Sequence, residues 1–196
     1  MPYPERLKKS LVEYQLDDSL IQQVFEGFES IKDTSPKKEK VLFMRQAMKI
    51  LDESLDYNKR YEIIDTCACC LGGETGKKVR DFAKSIKGKE MTLAEKIQIL
   101  RETRPFDTSA ELHDNDIIYD GVFYKVDDEY RCACGCIGNF ELEEPISSTF
   151  CLCCAGHFRY HLQKALDIKL KTINIESSPI ESMGKKPCVF VFQIIK

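Results

Sequence analysis

Cysteines form three dense clusters in this chain, and their spacing is the feature most able to do chemistry. The chain has 196 residues and ten cysteines. The clusters read TCACCLGG, RCACGC and FCLCCAG, and their members are Cys67, Cys69, Cys70, Cys132, Cys134, Cys136, Cys151, Cys153 and Cys154. Cys188 stands apart from them. Burial of small apolar residues would scatter the cysteines, so the clustering favours a chemical role.

Metal binding is the first role that this spacing predicts. Thiolates are soft ligands that favour zinc, copper(I) and iron–sulfur clusters. Structural zinc commonly takes four Cys or His ligands, often supplied as C-x-x-C pairs. Cys67 and Cys70 have that spacing, and so do Cys151 and Cys154. The sequence therefore predicts a zinc site, with an iron–sulfur cluster as the alternative.

The middle cluster has its three cysteines two residues apart. In an extended strand all three would face one side, whereas in a loop around the glycine they could wrap around an ion. The preferred grouping takes Cys132 with either Cys134 or Cys136 from this cluster. It joins them to Cys151 and Cys154, because the two segments are close in sequence. The first cluster would complete this site or form another, and one polynuclear cluster is a further arrangement.

Two histidines follow the last cluster. His157 and His161 are four residues apart on a predicted helix, a spacing that can chelate a metal, so His157 is a candidate ligand. The acidic residue of the zincin pattern is missing. The alternative is that one histidine makes a local hydrogen bond and the other is solvated. The glycine two residues after each C-x-C-C, Gly72 or Gly156, would let the backbone approach a large ion.

Two enzyme classes could use the same residues differently. A thiol redox enzyme places a C-x-x-C pair at a helix N-terminus, where the helix dipole stabilises a thiolate, and Cys151 with Cys154 fits that position. The further cysteines fit a metal site better. A metal-dependent hydrolase would need an acid or base such as Glu176, His157 or His161 beside an open coordination position.

Composition limits the partners and the location. The net charge of −3 and the pI near 5.7 give no basic face for nucleic acid. No stretch approaches the roughly 20 apolar residues of a membrane span, and the start MPYPERLKKS has no signal-peptide core. We therefore expect a cytoplasmic protein with reduced thiols. A small-molecule ligand and a homodimer are both compatible with the sequence.

Hydrophobic periodicity predicts helices over residues 1–105. Apolar residues recur there at helical spacing through six segments. Asn58 is the predicted N-cap of the fourth helix, which runs into the first cysteine cluster and ends at Gly72–Gly73. A capping box beginning at Thr92 opens the last of them.

Residues 106–196 instead predict strands with one helix. Asp120–Gly121 lies between two runs rich in β-formers, which is a strong hairpin signal. IKLKTINIES and PCVFVFQII predict two further strands, after a helix that begins at the last cysteine cluster. The predicted fold is α+β, with a helical N-terminal half followed by a small antiparallel sheet and a packed helix. The two halves could also form one continuous domain.

A longer pattern runs from Phe150 to the end of the chain. It has Cys and Gly before an amphipathic helix, a strand that ends in Glu, a loop with Gly, and a Cys in the closing strand. The residues that carry it are Cys153 or Cys154, Gly156, the helix from Phe158 to Leu166, Glu176, Gly184 and Cys188. In this pattern the segment resembles the 4-vinyl reductase domain family. Ser177 stands where that family usually has a second Cys.

The resemblance implies an α+β domain that binds a small ligand. Members serve as sensory modules of aromatic-responsive regulators or as accessory proteins in tetrapyrrole metabolism, and some bind zinc. It makes Glu176 and Cys188 candidate zinc ligands, with Cys153 or Cys154 upstream. The whole chain also resembles uncharacterised bacterial cysteine-rich proteins, which implies no function. Together these observations predict a metal-thiolate protein with a sensor or accessory role.

Overall fold

Helices fill the N-terminal half of the computed structural model. The structure describes residues 3–68, 71–106, 109–121, 123–138 and 140–195. The helices of this half are α1 (Pro4–Glu13), α2 (Asp18–Phe25), α3 (Lys37–Ser54), α4 (Tyr57–Asp65), α5 (Gly73–Ile86) and α6 (Leu93–Thr103). None of the described helices is both long enough and apolar enough to cross a membrane.

The helix ends show where local sequence signals hold. The capping box at Thr92 is confirmed, because Thr92 Oγ1 accepts from the Glu95 N–H and the Glu95 carboxylate accepts from the Thr92 N–H. The Asn58 cap is wrong: the Asp56 side chain accepts from the Lys59 N–H at 2.9 Å, so α4 begins two residues earlier. Gly72–Gly73 does not end α4, since it forms the start of α5.

The second half contains two antiparallel sheets. The larger has the strand order β1–β2–β6–β5, and the smaller pairs β3 with β4. The strands are β1 (Glu111–His113), β2 (Asp116–Asp120), β3 (Phe123–Val126), β4 (Glu129–Cys132), β5 (Lys169–Ser177) and β6 (Val189–Ile195). A 3₁₀ helix (Ser148–Cys151) leads directly into α7 (Leu152–Leu166).

The hairpin prediction at Asp120–Gly121 is wrong. β2 pairs with β1 and β6, whereas β3 pairs with β4, so the turn connects two sheets. The Gly121 N–H donates to the Cys188 carbonyl at 2.8 Å. A Cβ at Gly121 would lie 2.6 Å from Cys188 Cβ and 2.7 Å from the Phe190 ring. The glycine therefore permits a close approach of two backbone segments.

Helix α7 joins the two halves of the chain. It packs against β5 on one side and against α4 and α5 of the helical half. The ring centroid of Phe158 in α7 lies 4.5 Å from that of Tyr119 in β2. Buried apolar residues of both halves form one hydrophobic cluster. The predicted α+β class is confirmed, with the helical half and the sheet sharing α7.

Candidate metal-thiolate site

Separate elements bring the described cysteines into one buried region. Cys132 ends β4, and the turn after it carries Cys134 and Cys136. The remaining positions are Cys151 at the end of the 3₁₀ helix, Cys153 and Cys154 in the first turn of α7, Cys188 just before β6 and Cys67 just after α4. Seven of these eight cysteines are buried, and Cys154 is half-buried. Cys69 and Cys70, also predicted as ligands, lie outside the described residues.

The CACGC segment forms a loop rather than a strand beyond Cys132. The Ile137 and Gly138 N–H groups both donate to the Cys134 carbonyl, which closes a tight turn. Gly138 completes the turn with a φ of +56°, a conformation that favours glycine. Of the two predicted arrangements, the loop is confirmed and the extended strand is wrong.

Backbone N–H groups in this loop point at sulfur atoms. The Cys134 N–H donates to Cys132 Sγ at 3.4 Å. Cys134 Sγ in turn accepts from the N–H groups of Cys136 and Ile137. Such donors stabilise negative charge on sulfur, as they do around bound metals.

Cys134 is also the residue whose sulfur is contacted by other thiols. The thiols of Cys132 and Cys154 hydrogen-bond to the Cys134 sulfur, and together with the backbone donors they hold its pKa well below the usual range. The contact with Cys134 raises the pKa of Cys132, and burial raises it further. Contacts with Cys134 and Cys153, followed by burial, raise the pKa of Cys154. The loop and the start of α7 are therefore in direct contact through sulfur.

The other thiols surround this contact. Burial raises the pKa of Cys67 to about 11, and that of Cys136 and Cys188 to about 12. Cys153 adds to the effect at Cys67, and Cys134 adds to it at Cys136 and Cys188. These pKa values keep the three thiols protonated at neutral pH.

The C-x-x-C pair at α7 does not have the electrostatics of a redox dithiol. Cys151 and Cys154 lie at the helix N-terminus as predicted. Burial, and next the nearby Cys188 thiol, hold the pKa of Cys151 well above its ordinary value. Hydrogen bonds with Cys134 and Cys153, and then burial, raise the pKa of Cys154. Both shifts are opposite to the lowering that a helix dipole gives a redox cysteine.

Two serines that sequence reasoning missed contact the thiols. Ser10 Oγ of α1 lies 3.4 Å from Cys67 Sγ, and both side chains are buried. Ser178, fully buried just after β5, hydrogen-bonds to Cys151 and lowers its pKa against the effect of burial. Both serines are far from their cysteines in sequence, and no local pattern marks them.

Glu176 and His157 are placed differently from the thiols. Glu176 lies on the exposed face of β5, between the buried residues Ile175 and Ser177. His157 is half-buried, and its ring centroid lies 4.5 Å from that of His161 on the same helix face. Neither residue contributes to the sulfur contacts described above.

The described side chains are not grouped around a common ion. Among them, no set of three or more His, Cys, Asp and Glu residues is already arranged around a common point as metal ligands. The thiols instead contact one another in pairs that share Cys134. The donor chemistry suits a soft metal, because thiolates and N–H···S hydrogen bonds are what such sites use.

An ion pair holds the first cluster against α7. Both guanidinium nitrogens Nε and Nη2 of Arg159 donate to the Asp65 carboxylate, at 3.3 and 2.6 Å. Asp65 ends α4, two residues before Cys67. A Cβ at Gly156 would lie 2.6 Å from Asp65 Oδ1, so α4 packs directly on the helix backbone there. In this structure, the Gly156 position allows close approach by Asp65.

A second polar network positions Cys151. Thr149 of the 3₁₀ helix donates to Asp52 Oδ1 of α3 at 2.6 Å. Arg60 of α4 donates to both Thr149 Oγ1, at 2.8 Å, and Asp52. These contacts tie two helices to the element that ends at Cys151.

Replacement of Thr149 tests this network. We expect Thr149→Val to lower the free energy of unfolding by about 1–2 kcal/mol, because it removes a hydroxyl that donates to one charged group and accepts from another. Denaturant unfolding monitored by circular dichroism measures the loss. Ser148→Ala, which leaves the network untouched, is the control. An equal loss in the two variants would contradict the role given to Thr149.

A small pocket opens beside Cys132. Its volume is about 190 Å³. Its walls come from β4, the cysteine loop, residues 140–142 and the segment before β6. Pockets for drug-sized ligands usually measure about 300–1,000 Å³, so this one suits a smaller group.

No family model, curated protein or solved structure matches this chain. The resemblance to the 4-vinyl reductase family therefore stays a prediction. Cys188, which carries part of that resemblance, lies one residue before the closing strand. The hydroxyl of Ser177, which stands where that family usually has Cys, donates to the Pro187 carbonyl at 2.7 Å.

Proposed function

We propose that this chain is a zinc-binding thiolate protein in which Cys132, Cys134, Cys151 and Cys154 hold the ion. The observation that carries the proposal is the convergence of sulfur and N–H donors on Cys134. Cys132 and Cys154 contact it directly, and Cys151 lies near both Cys134 and Cys132. Four cysteine thiolates are a common donor set for structural zinc.

Loss of protons would convert these sulfurs from hydrogen-bonded thiols into metal-bound thiolates. A thiol that hydrogen-bonds to another sulfur carries a proton, and a thiolate that binds a metal does not. Zinc binding would therefore release the protons of Cys132, Cys151 and Cys154 to solvent, and their sulfurs would bind the ion together with that of Cys134. The backbone N–H donors would continue to stabilise charge on Cys132 and Cys134.

Burial favours a structural role for this ion. Cys132 and Cys134 are each 7% exposed and Cys151 is 4% exposed. Structural zinc sites are closed by four protein ligands, whereas catalytic sites keep one position open. The pocket beside Cys132 would then serve the sensor or accessory role, with a ligand smaller than a drug-sized molecule. The order of the pocket walls would depend on the cysteine loop that the zinc ion holds in place.

Elemental analysis of anaerobically purified protein tests the proposal. We expect at least one zinc per chain, no visible absorbance, and a lower Tm after chelation, because zinc bound to the folded state adds to its stability. Iron with inorganic sulfide and a visible spectrum would instead support the iron–sulfur alternative. Protein that folds fully with no bound metal of any kind would refute both.

A further inference from the structure

Five lysines line a cleft between the ends of three helices. Its volume is about 320 Å³. The lysines are Lys84, Lys87, Lys89, Lys96 and Lys164, which come from α5, the segment after it, α6 and α7. Within the described part of the chain, none of these five side chains forms an ion pair with a carboxylate.

The negative ends of the helix dipoles offset only part of the positive charge of these lysines. Lys84 and Lys164 lie in the last turns of α5 and α7, where a cation offsets the negative end of the helix dipole. Each such end is equivalent to about half a negative charge. Among the described residues that line the cleft, Asp167 is the single acidic one. These groups offset about two positive charges, which leaves an excess of about three.

The chemistry of the cleft favours phosphate over carboxylate. The described residues of its lining include no arginine, although the planar fork of arginine is the usual partner of carboxylates. Lysine ammonium groups act as mobile point charges that bind phosphate oxygens without a fixed geometry. The buried side chains of Ile86, Ala165 and Leu166 add an apolar base against which an organic group could pack.

We propose that this cleft binds a small, multiply phosphorylated anion. The concentration of charge is local, since the chain as a whole has a net charge of −3. A concave site of this size fits a compact ligand better than a duplex or a membrane, which need an extended basic face. Among the described residues, the lining of the cleft includes none of the four cysteines proposed to hold zinc, so the two proposals rest on different residues.

Calorimetric titration of the protein, as purified, with inorganic phosphate, pyrophosphate and triphosphate tests this inference. We expect affinity to rise with the number of phosphates, since each adds charge within reach of a lysine. The test variant is Lys87→Gln/Lys89→Gln/Lys96→Gln, which removes lysines beyond the last turns of α5 and α7. We expect it to weaken triphosphate binding at least about tenfold.

A matched variant separates a local site from general attraction. Lys9→Gln/Lys38→Gln/Lys185→Gln removes the same charge from exposed positions elsewhere and should leave the affinity within about twofold. The inference fails if triphosphate does not bind or if the two triple variants weaken it equally. It also fails if duplex DNA or anionic lipid vesicles bind more tightly than triphosphate at the same salt concentration.

Discussion

Cys134→Ser is expected to abolish stoichiometric zinc binding. A serine hydroxyl is a poor ligand for a soft metal, and Cys134 is the sulfur on which the other thiols and the loop N–H donors converge. We expect an affinity loss of at least about 1,000-fold, which removes about 4 kcal/mol of zinc-dependent stabilisation. For a chain of this size, the Tm should fall by about 8–16 °C. Competition with a chromophoric chelator and thermal unfolding with added zinc measure the two effects.

The control for this substitution is the same chemical change at another buried cysteine. Cys188 is 4% exposed and lies near Cys134, but it is outside the proposed set of four. Cys188→Ser should therefore retain zinc within about twofold of the unmodified protein and lose about 1 kcal/mol or less from packing. If Cys188→Ser loses zinc while Cys134→Ser keeps it, the grouping is wrong and the set implied by the family resemblance is favoured.

Local signals predicted those parts of the fold that are held by local contacts. The capping box of α6 was predictable because its two hydrogen bonds join residues three positions apart. The turn at Asp120–Gly121 has an equally strong local signal, yet it does not form a hairpin. β2 pairs there with β6, whose Phe190 and Phe192 are fully buried. The burial of β6 stabilises its pairing with β2 more than the local preference of Asp120–Gly121 would stabilise a hairpin.

The same division applies to the candidate site. The spacing of the second and third clusters predicted their association, and the structure places Cys134 in contact with Cys154. Spacing could not predict that Ser10 would contact Cys67, since 57 positions separate them. Nor could it predict the Asp65–Arg159 pair, which joins residues 94 positions apart. Such partners are set by helix packing, which the motifs do not encode.

The two glycines of the repeated C-x-C-C-x-G motif should respond differently to the same substitution. A Cβ at Gly72 would meet no atom of the described residues within 4 Å, and Gly72 does not have a positive φ. A Cβ at Gly156 would lie 2.6 Å from Asp65 Oδ1 and 3.2 Å from the Asp65 carbonyl oxygen. We therefore expect Gly72→Ala to change the free energy of unfolding by less than about 1 kcal/mol.

Gly156→Ala should lower the free energy of unfolding by about 2–4 kcal/mol. Alanine inside a helix gains about 1 kcal/mol from propensity, but the added methyl must displace a half-buried carboxylate that pairs with Arg159. Removal of the carboxylate in the double variant Gly156→Ala/Asp65→Ala should make the two losses smaller than additive, because the closest clash is then gone. Denaturant unfolding of the four proteins in this cycle measures the coupling. If the losses in the free energy of unfolding are additive, the Gly156 position is not where α4 packs on α7. If Gly72→Ala and Gly156→Ala lose the same free energy of unfolding, the two glycines have a shared role.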